Sequence, residues 1–424
     1  MLYSFGVEIL LAFLRFVSIF SKKIKIFLRT RKGILETLAQ NIKVGDQVLW
    51  FHCASLGEFE QARPLIEGCK NKYPNHKIVL TFFSSSGYDI QKKYPLADVI
   101  TYLPFDQKRN IEKFIDMVNP NAVFLIKYEF WPNLINELYQ RQIPVFSVVS
   151  IFRENQIFFK PFGFFMKNLL KKIQYFFVQN KESQDLLKSI EITNSKIIGD
   201  TRIDRVLSIL KQNNTLDIIQ NFKGDKPCFV VGSSWPDDIA LISNTIEQET
   251  EIKTIIAPHL VDEKSLQEVE NSFKQPVIRL SILKEVKQTK ANILLIDCVG
   301  ILTKIYSHAD LAYVGGGMGS DGLHNILEPA VFGIPIIIGQ KYKRYQEAFD
   351  LVTLGGVASV KSNLEFKKTF KNIFFGTTLA TEMGKKNTQY INKHKGATDK
   401  FFKELNHLLK IKIIPLLSLI CIFI

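Results

Sequence analysis

Five glycines lie within eight residues of the C-terminal half, at Gly315, Gly316, Gly317, Gly319 and Gly322. Glycine lets the main chain take positive φ angles and come close to a ligand. Pro329 has no N–H group and must lie near the first turn of a helix, which predicts a helix start close to His324 or Asn325. The unpaired amides of that helix start would carry a partial positive charge. We therefore interpret residues 315–325 as a phosphate-binding turn.

Glu328 would lie about one turn into the predicted helix, where its carboxylate could accept hydrogen bonds from ribose hydroxyls. A second interpretation is open, because Asn325-x-x-Glu328 is also the pattern of a capping box, in which Glu328 binds only the N-cap amide. Capping needs one special residue, whereas five glycines need a further reason. The glycines therefore favour a ligand site.

The same turn contains Gly317-x-Gly319-x-x-Gly322, which fits the dinucleotide-binding fingerprint of oxidoreductases. That fingerprint requires an acidic residue at the end of the next strand. Here the next predicted strand, Pro335–Gly339, is followed by Gln340 and Lys341. The pattern therefore disfavours an NAD-linked oxidoreductase.

Glu58 follows the first predicted strand, Val48–His52, and so lies at the carboxyl end of that strand. A carboxyl group with a raised pKa at this place could act as a general base that deprotonates a sugar hydroxyl. Ser55-x-x-Glu58 is also a capping box, and from this pattern alone capping is the favoured interpretation.

Two further charged residues follow predicted strands of the first half. Glu129 comes after the predicted strand Ala122–Ile126 and is either a second acid of the site or the ion-pair partner of Lys127. Arg202 lies shortly before the predicted domain boundary, where its cation could reach a leaving phosphate.

Polar residues also follow predicted strands of the second half. Ser233 and Ser234 come after the predicted strand Cys228–Gly232, and they are either hydroxyl donors or helix caps, with capping favoured for Ser234. Pro258 and His259 follow the predicted strand Lys253–Ala257.

Short runs of β-branched and aromatic residues alternate with helix-sized segments in both halves of the chain. Strands separated by helices form right-handed βαβ units and a parallel sheet. The remaining predicted strands are Lys77–Phe83, Val145–Val149, Gln174–Val178, Ile293–Ile296 and Leu311–Val314. The pattern predicts an α/β fold of two Rossmann-like halves, with catalysis in a cleft outside the carboxyl ends of the strands.

The polar segment Leu216–Lys226 is the predicted boundary between the two halves. The predicted organisation is a membrane-anchor segment at 1–30, an N-terminal domain at 31–215, a linker at 216–226, a C-terminal domain at 227–393, and a C-terminal helix with an apolar tail at 394–424.

The first twenty residues are mostly apolar but contain Glu8 and Arg15, and six basic residues follow between Lys22 and Lys32. A signal peptide has the opposite order of charge and a cleavage site, so this pattern predicts a retained anchor with its basic flank in the cytoplasm. The anchor either crosses the bilayer or lies on its surface, and a buried first helix is the alternative. The apolar run Ile413–Ile424 is too short to span a membrane.

The charge balance favours anionic partners, because 55 basic and 41 acidic residues give a formal net charge of +14. We expect no nucleic-acid partner, since no basic helix or stacking-aromatic motif stands out. The five cysteines form no C-x-x-C pair and the seven histidines have no metal-site spacing. We therefore predict neither a disulfide framework nor a tightly bound metal.

Four motifs resemble, in this order, those of the Kdo transferases, which move 3-deoxy-D-manno-octulosonic acid (Kdo) from CMP-Kdo to the lipid A precursor. The resemblance spans nearly the whole chain and includes an apolar N-terminal anchor. The motifs are His52-Cys-Ala-Ser-Leu-Gly-Glu58, Tyr128-Glu-Phe-Trp-Pro-Asn133, Gly199-Asp-Thr-Arg-Ile-Asp204 and Gly322-Leu-His-Asn-Ile-Leu-Glu-Pro-Ala330.

The resemblance implies a GT-B fold, in which two facing Rossmann-like parallel-sheet domains are preceded by a membrane-associated helix. It implies an acceptor in the N-terminal domain, CMP-Kdo in the C-terminal domain, and Glu58 as the general base of an inverting displacement without a cofactor. Glu129 and Arg202 are expected at the substrate or transition state. The expected nucleotide-sugar site comprises Ser233, Pro258, His259, Gly315, Gly316, Gly317, Gly322, His324, Asn325 and Glu328.

The expected partners are CMP-Kdo, the lipid A precursor and the anionic cytoplasmic face of the cell inner membrane. Two positions depart from the family pattern. Lys127-Tyr128-Glu129 stands where the family often has Glu-Thr-Glu, and Arg202 stands where a lysine is more usual. The alternatives are another GT-B transferase or epimerase that uses a UDP-sugar, and a catalytically silent membrane-surface protein that would tolerate the loss of Glu58.

Overall fold

The structure is a computed structural model that describes the backbone of residues 2–286 and 289–420 and the side chains of these residues up to 408. The chain divides into two compact units. The first unit comprises Met1–Arg205 and Lys395–Ile424, and the second comprises Val206–His394.

The first unit contains a seven-stranded parallel sheet with the strand order β3-β2-β1-β4-β5-β6-β7. Its strands are β1 Val48–Cys53, β2 Lys77–Phe82, β3 Val99–Tyr102, β4 Ala122–Ile126, β5 Val145–Ser150, β6 Tyr175–Val178 and β7 Ser195–Ile197. Its helices are α1 Leu2–Val17, α2 Lys22–Arg29, α3 Ile34–Asn41, α4 Leu56–Lys72, α5 Ser85–Gln91, α6 Lys108–Val118, α7 Pro132–Gln140, α8 Phe164–Leu170 and α9 Lys181–Ser189, with short 3-10 turns at Ile157–Phe159 and Pro161–Gly163. The next helix, α10 Thr201–Ile209, contains the division between the units after Arg205.

The second unit contains another seven-stranded parallel sheet, with the order β10-β11-β9-β8-β12-β13-β14. Its strands are β8 Cys228–Ser234, β9 Lys253–Pro258, β10 Val277–Arg279, β11 Ile293–Leu295, β12 Leu311–Val314, β13 Ile336–Gly339 and β14 Val357–Val360. Its helices are α11 Asp217–Lys223, α12 Pro236–Ile246, α13 Glu263–Glu270, α14 Leu280–Val286, α15 Leu302–Tyr306, α16 Leu327–Val331, α17 Gln346–Leu354, α18 Asn363–Phe374 and α19 Thr377–His394.

Both sheets have a topological switch point, where the strand order reverses and the connections diverge to opposite faces. The switch lies between β1 and β4 in the first sheet and between β8 and β12 in the second. Ligands of such sheets bind in the crevice outside the carboxyl ends of the strands at this point. The predicted site residues Glu58 and Glu129 follow β1 and β4, and the Gly-rich turn follows β12.

The prediction of two parallel-sheet α/β halves is confirmed, and all ten predicted strands are present with ends that differ by at most two residues. The four strands that were not predicted, β3, β7, β10 and β14, are the outer strands of the two sheets. They are three or four residues long and less uniformly buried than the central strands. An edge strand needs only a short apolar run, so its hydrophobic signal is weak.

The structure divides the chain differently from the predicted linker at 216–226. The division follows Arg205, and the predicted linker contains α11, whose Ile219 and Phe222 are buried. The predicted C-terminal segment at 394–424 belongs to the first unit from Lys395 onward. The side chains of its apolar tail at 413–424 lie outside the described residues.

The C-terminal helix α20, Ala397–Ile420, completes the core of the first unit. Phe401 is fully buried, and its ring lies 4.7 Å from the ring of Phe177 and 5.9 Å from that of Phe124. The Phe401 side chain therefore packs α20 against strands β4 and β6.

The first helix, α1, packs against the first unit along one face. Tyr3 lies beside Asp106, which contributes to raising the pKa of the Tyr3 hydroxyl, Ser4 donates to Asn133 at 2.8 Å, and Gln107 donates to Glu8 at 2.6 Å. The opposite face is apolar and exposed, at Leu2, Phe5, Ile9, Leu10, Phe13 and Phe16. Within residues 2–286 and 289–420, no helix has both the length and the apolar content needed to cross a membrane.

We expect Phe401→Ala to lower the free energy of unfolding by about 3–5 kcal/mol, because it leaves a cavity in the core of the first unit. The matched control is Leu364→Ala, since Leu364 is 79% exposed, and we expect it to change stability by less than about 0.5 kcal/mol. Urea unfolding followed by far-ultraviolet circular dichroism measures both. Equal midpoints for the two variants would contradict the packing of α20 against the sheet.

Candidate active site

Glu58 lies in the first turn of α4, directly after β1, and its carboxylate folds back onto the backbone. The Ala54 amide donates to Glu58 Oε2 at 2.5 Å. Ser55 is the N-cap residue, but its side chain makes no capping hydrogen bond. The predicted Ser55–Glu58 capping box is therefore wrong in its reciprocal part, although Glu58 does satisfy one amide near the start of the helix.

The environment of Glu58 raises the pKa of its carboxyl group, so that protonated and ionised forms are both present near neutral pH. Only 7% of the residue is exposed, and burial is the largest cause that raises the pKa of its carboxyl group to about 7. The carboxylate of Glu129 raises this pKa further, whereas Lys127, the Ala54 amide and His52 lower it. A carboxylate with a pKa close to 7 is basic enough to accept a proton from a hydroxyl group and is still substantially ionised at neutral pH.

Glu129 follows β4 and lies beside Glu58, so the structure brings the two predicted acids together. Trp131 Nε1 donates to Glu129 Oε2 at 3.0 Å, and His52 Nε2 lies 3.8 Å from the same oxygen. Among the described residues, Glu129 makes no ion pair with Lys127 within 4 Å. The alternative in which Glu129 merely neutralises Lys127 is therefore wrong.

His52 is a polar residue of this site to which the sequence gave no role beyond its place in a motif. It is fully buried in β1, and its Nδ1 lies 2.9 Å from Thr81 Oγ1. Its Nε2 is buried without a hydrogen-bond partner in the described part of the chain and faces Glu129. A histidine inside the otherwise apolar strand Val48–Cys53 was the signal in the sequence that could have identified it.

Lys127 adopts a strained backbone conformation at the end of β4, with φ of +60°. Its carbonyl oxygen accepts hydrogen bonds from Ser147 Oγ at 3.1 Å and Ser150 Oγ at 2.9 Å, which hold this conformation. Left-handed backbone at a residue other than glycine costs about 1 kcal/mol or more and is often found at functional sites. Lys127, which departs from the family pattern, therefore belongs to the site as the cation that lowers the pKa of Glu58.

Arg202 lies in the first turn of α10, and its guanidinium is held by the preceding acid. Its Nη2 donates to Asp200 Oδ2 at 2.6 Å, and its Nε donates to the same oxygen at 2.9 Å. Burial would raise the pKa of Asp200, but Arg202 outweighs this effect and the pKa is lowered. The contact of Arg202 with a leaving phosphate stays a prediction, and the guanidinium that would make it is already paired with Asp200.

In the second unit, the Gly-rich turn after β12 packs closely against its own protein. The Gly315 amide donates to Gly232 O at 2.9 Å. A Cβ atom added at Gly317 would lie 2.9 Å from the Gly339 nitrogen. At Gly322, where φ is +97°, an added Cβ would lie 2.4 Å from Tyr345 Oη.

The sequence suggested that the glycines let the main chain come close to a ligand, and these contacts give a different reason. The close approach that they permit is to the neighbouring strands and loops of the protein itself. The Gly316 amide donates to Asp238 Oδ2 at 2.8 Å, so at least two amides of the turn, those of Gly315 and Gly316, are already engaged. The turn can still border a ligand, but these two amides do not cradle a phosphate.

Asp238, to which no sequence motif gave a role, organises the switch point of the second sheet. It is fully buried, and its carboxylate accepts from the Tyr313 hydroxyl at 2.7 Å, the Trp235 amide at 2.9 Å and the Gly316 amide. Its position in the sequence could have identified it, because an acid in the first turn of a helix commonly accepts a hydrogen bond from the N-cap amide.

Three aromatic rings at the carboxyl ends of β8, β9 and β12 form one cluster. The His259 ring stacks on Trp235 with centroids 4.5 Å apart and lies 4.6 Å from the ring of His324. Trp235 Nε1 donates to His324 Nε2 at 3.1 Å, so the neutral His324 ring carries its proton on Nδ1. Burial, reinforced by His259, lowers the pKa of His324 to about 4, and the ring is therefore an uncharged N–H donor at neutral pH.

The helix after the turn starts later than predicted. It spans Leu327–Val331, and Ile326 is its N-cap, so its five residues offer little helix dipole. Asn325 Oδ1 accepts from the Leu327 amide at 3.2 Å, and Asn325 Nδ2 donates to Glu328 Oε1 at 3.2 Å. The predicted capping box is wrong, because Ile326 and not Asn325 is the N-cap residue of this helix.

Glu328 also accepts a hydrogen bond from Thr303 Oγ1 at 2.8 Å. Its carboxylate is therefore oriented by two side chains, Asn325 on the connection before α16 and Thr303 in α15. The predicted contact with ribose hydroxyls stays a prediction.

Ser233 and Ser234 end β8 at an irregularity of the sheet. Ser233 has a φ of +53°, and the pairing of β8 with β9 shifts register between Gly232 and Ser234. The prediction that Ser234 caps the next helix is wrong, because Trp235 is the N-cap of α12. The Ser234 carbonyl instead accepts from the His259 amide at 3.0 Å, which aligns the ends of β8 and β9.

Comparisons with known proteins agree with the motifs of the first unit. Residues 27–205 match the family model of 3-deoxy-D-manno-octulosonic-acid transferase. The chain is 27% identical over 311 residues to a bifunctional glycosyltransferase/methyltransferase of Fusobacterium nucleatum, covering 70% of this chain but only 47% of that protein. It is also 27% identical to the 3-deoxy-D-manno-octulosonic acid transferase of Haemophilus influenzae over 332 residues, which cover 75% of this chain and 77% of that protein.

Among solved structures, the UDP-GlcNAc 2-epimerase of Neisseria meningitidis bound to UDP-GlcNAc superposes with a TM-score of 0.60 at 14% identity. The superposition covers 85% of this chain and all of that one. At this identity the similarity shows the fold alone, and it confirms the predicted GT-B class.

We expect Trp235→Phe to release the proton of His324 from Nδ1, because phenylalanine preserves the ring stack but offers no N–H donor. Nitrogen-15 chemical shifts of the His324 ring report the tautomer and should change from a fixed Nδ1–H form to an exchanging mixture, with a higher pKa. The control Trp131→Phe removes an indole of the first unit and should leave His324 unchanged. An Nε2–H tautomer in the unmodified protein would contradict this assignment.

Proposed function

We propose that the chain, whose residues 27–205 match the family model of 3-deoxy-D-manno-octulosonic-acid transferase, transfers Kdo from CMP-Kdo to the lipid A precursor in lipopolysaccharide biosynthesis. The observation that supports this most is the buried Glu58, placed by the family motif at the switch point of the first sheet with a pKa of about 7. A catalytically silent surface protein would have no need for such a group.

In the proposed reaction, Glu58 accepts the proton of an acceptor hydroxyl. The acceptor oxygen attacks the anomeric carbon of Kdo and forms the new glycosidic bond, while the bond from that carbon to the phosphate oxygen of CMP breaks. CMP leaves with the electron pair, and the configuration of the anomeric carbon inverts. Glu129 holds negative charge beside Glu58, which keeps the pKa of Glu58 high enough for proton transfer.

We assign CMP-Kdo to the second unit, next to the ring cluster of Trp235, His259 and His324. The Nδ1–H group of His324 is a neutral donor that suits a phosphate or carboxylate oxygen. Asn325 and Glu328 lie on the same connection, and their mutual hydrogen bond orients them for polar contacts with the nucleotide sugar. The cation of Arg202 is proposed to stabilise the leaving phosphate.

We also propose that the protein works on the cytoplasmic face of the inner membrane, where its acceptor resides. The exposed apolar face of α1 and the basic residues of α2 support this location. Apolar side chains beside lysine and arginine are typical of helices that lie in an anionic membrane surface.

We expect Glu58→Gln to fold normally and to lose about 10²–10⁴-fold in Kdo transfer, because glutamine cannot accept the proton. The matched control on the same helix is Glu67→Gln, which removes only an ion pair with Arg63 and should stay within about twofold of the unmodified rate. Release of CMP, coupled to product formation, measures both variants. Normal turnover by Glu58→Gln would contradict the assignment of the base.

The pH dependence of kcat/KM should report the ionisation of the Glu58 carboxyl group. Activity should rise as pH increases through about 7, because only the ionised form of Glu58 accepts a proton. Lys127→Gln removes a cation that lowers this pKa, so its profile should move to higher pH by roughly half to one unit. The control Lys113→Gln, an exposed change on α6, should leave the profile in place. An unshifted profile for Lys127→Gln would show that Lys127 does not act on the base.

A further inference from the structure

One buried histidine, His52, lies between the interior of the first sheet and the acids at its switch point. His52 of β1 is paired in register with Thr81 of β2, and both residues are fully buried. The Nδ1 atom of His52 lies 2.9 Å from Thr81 Oγ1 and 3.2 Å from the Thr81 carbonyl oxygen. Trp50 Nε1 donates to the same Thr81 hydroxyl at 2.8 Å. The Nδ1 side of the ring is therefore fixed by buried polar groups.

The other ring nitrogen of His52 has no such partner. Its Nε2 atom is buried without a hydrogen bond to any residue that the structure describes. It faces Glu129 Oε2 at 3.8 Å, which is beyond the roughly 3.2 Å limit of an N–H···O hydrogen bond. A buried polar atom without a partner destabilises a fold, so its presence at this place needs a functional or structural reason.

The surroundings of His52 place a proton on Nε2. A carboxylate oxygen can only accept hydrogen bonds, so a bare lone pair on Nε2 would be repelled by Glu129. On the other side of the ring, the Thr81 hydroxyl accepts from Trp50 and has its own proton to give to Nδ1. If Nδ1 instead donates to the Thr81 carbonyl, both ring nitrogens face acceptors and both carry protons. In either arrangement the ring presents an Nε2–H group to Glu129.

The carboxylate of Glu129 is oriented through the same oxygen. Trp131 Nε1 donates to Glu129 Oε2 at 3.0 Å, and the indole is stacked on Phe83 with ring centroids 5.0 Å apart. A second donor to Oε2 would restrict the rotation of the carboxylate and stabilise its charge. The Nε2–H group of His52 is aimed at this position but is too far away in the free protein.

We propose that His52 is a positioning residue of the proposed transfer reaction, whose Nε2–H group closes onto Glu129 Oε2 when the substrates bind. The contact then holds the charge and the orientation of Glu129 beside Glu58. Hydrogen bonds of active sites are often long in the free enzyme and shorten in the complex with substrate. Because His52 is fully buried inside a strand, it acts through Glu129 and not on the substrates. The kinetic part of this inference rests on the proposed function, whereas the place of the proton does not.

Two substitutions separate the roles of the two ring nitrogens. The amide nitrogen of glutamine can take the place of Nε2, whereas the amide nitrogen of asparagine takes the place of Nδ1. We expect His52→Asn to lower kcat for Kdo transfer about 10–100-fold, the factor that a hydrogen bond to a charged group contributes. KM should change little, since the ring touches no substrate. His52→Gln should recover most of the lost kcat, because it keeps an N–H donor towards Glu129.

The matched control is His76→Asn. His76 precedes β2 at the opposite, amino edge of the sheet, and its Nδ1 is likewise buried without a partner among the described residues. This variant should leave kcat unchanged, and circular dichroism verifies that all three variants fold. Folded His52→Asn protein with normal turnover would overturn the proposal. Equal losses in folded His52→Asn and His52→Gln would also overturn it, because a purely structural histidine does not distinguish the two donors.

The proton is measured directly by nuclear magnetic resonance of the full chain labelled with nitrogen-15 at its histidines. In the free protein we expect an Nε2–H group on His52, and its shifts should change in Glu129→Gln. In Glu58→Gln, which prevents turnover, CMP-Kdo with the lipid A precursor should move this proton downfield as the contact closes. The His259 and His324 resonances report that the donor has bound.

A His52 ring with its proton on Nδ1 alone would contradict the inference, as would an unmoved Nε2–H resonance when those of His259 and His324 shift. The two proposals fail separately. If the unmodified protein transfers no Kdo, the proposed function is rejected. The Nε2–H group in the free protein and its response to Glu129→Gln then still decide whether His52 acts on Glu129.

Discussion

The proposed chemistry depends on the burial of one carboxyl group next to another. Glu58 is placed by the short connection from β1 to α4, and Glu129 by the connection that leaves the neighbouring strand β4. Burial, more than the adjacent charge, raises the pKa of Glu58 to about 7. A parallel sheet with a switch point between these strands is what allows two acids to meet in a desolvated place. Lys127, held in a strained conformation by two serine hydroxyls, limits the rise.

The second unit has the same kind of parallel sheet, but different side chains occupy its switch point. At its switch point the buried Asp238 joins β12, the Gly-rich turn and the start of α12 through three hydrogen bonds. This arrangement fixes Trp235, and Trp235 in turn fixes the proton of His324. The glycines serve this compact packing, whereas the rings of His259 and His324 provide the polar groups. The unit thus combines a rigid turn with a neutral hydrogen-bond donor, as suits the binding of an anionic nucleotide sugar.

The regular part of the fold was predictable from the sequence, because the central strands are buried on both faces and give continuous apolar runs. Edge strands such as β7, with three residues, give no comparable signal. Motif residues such as Glu58 and Glu129 were identified, but the half-formed capping box at Ser55 was not, since local patterns do not specify which hydrogen bonds form. Asp238 and His52 were missed because their roles depend on contacts between residues far apart in sequence. The domain division after Arg205 was missed for a similar reason, as the C-terminal helix packs into the first core.

The most direct test of the central claim is the identity of the product. The full chain is incubated with the tetra-acylated lipid A precursor and either CMP-Kdo or UDP-N-acetylglucosamine, and the lipid is weighed by mass spectrometry. The account predicts lipid products heavier by whole Kdo units with CMP-Kdo, and unchanged lipid with the UDP-sugar. Unchanged lipid with CMP-Kdo, or a hexosamine adduct from the UDP-sugar, would contradict it.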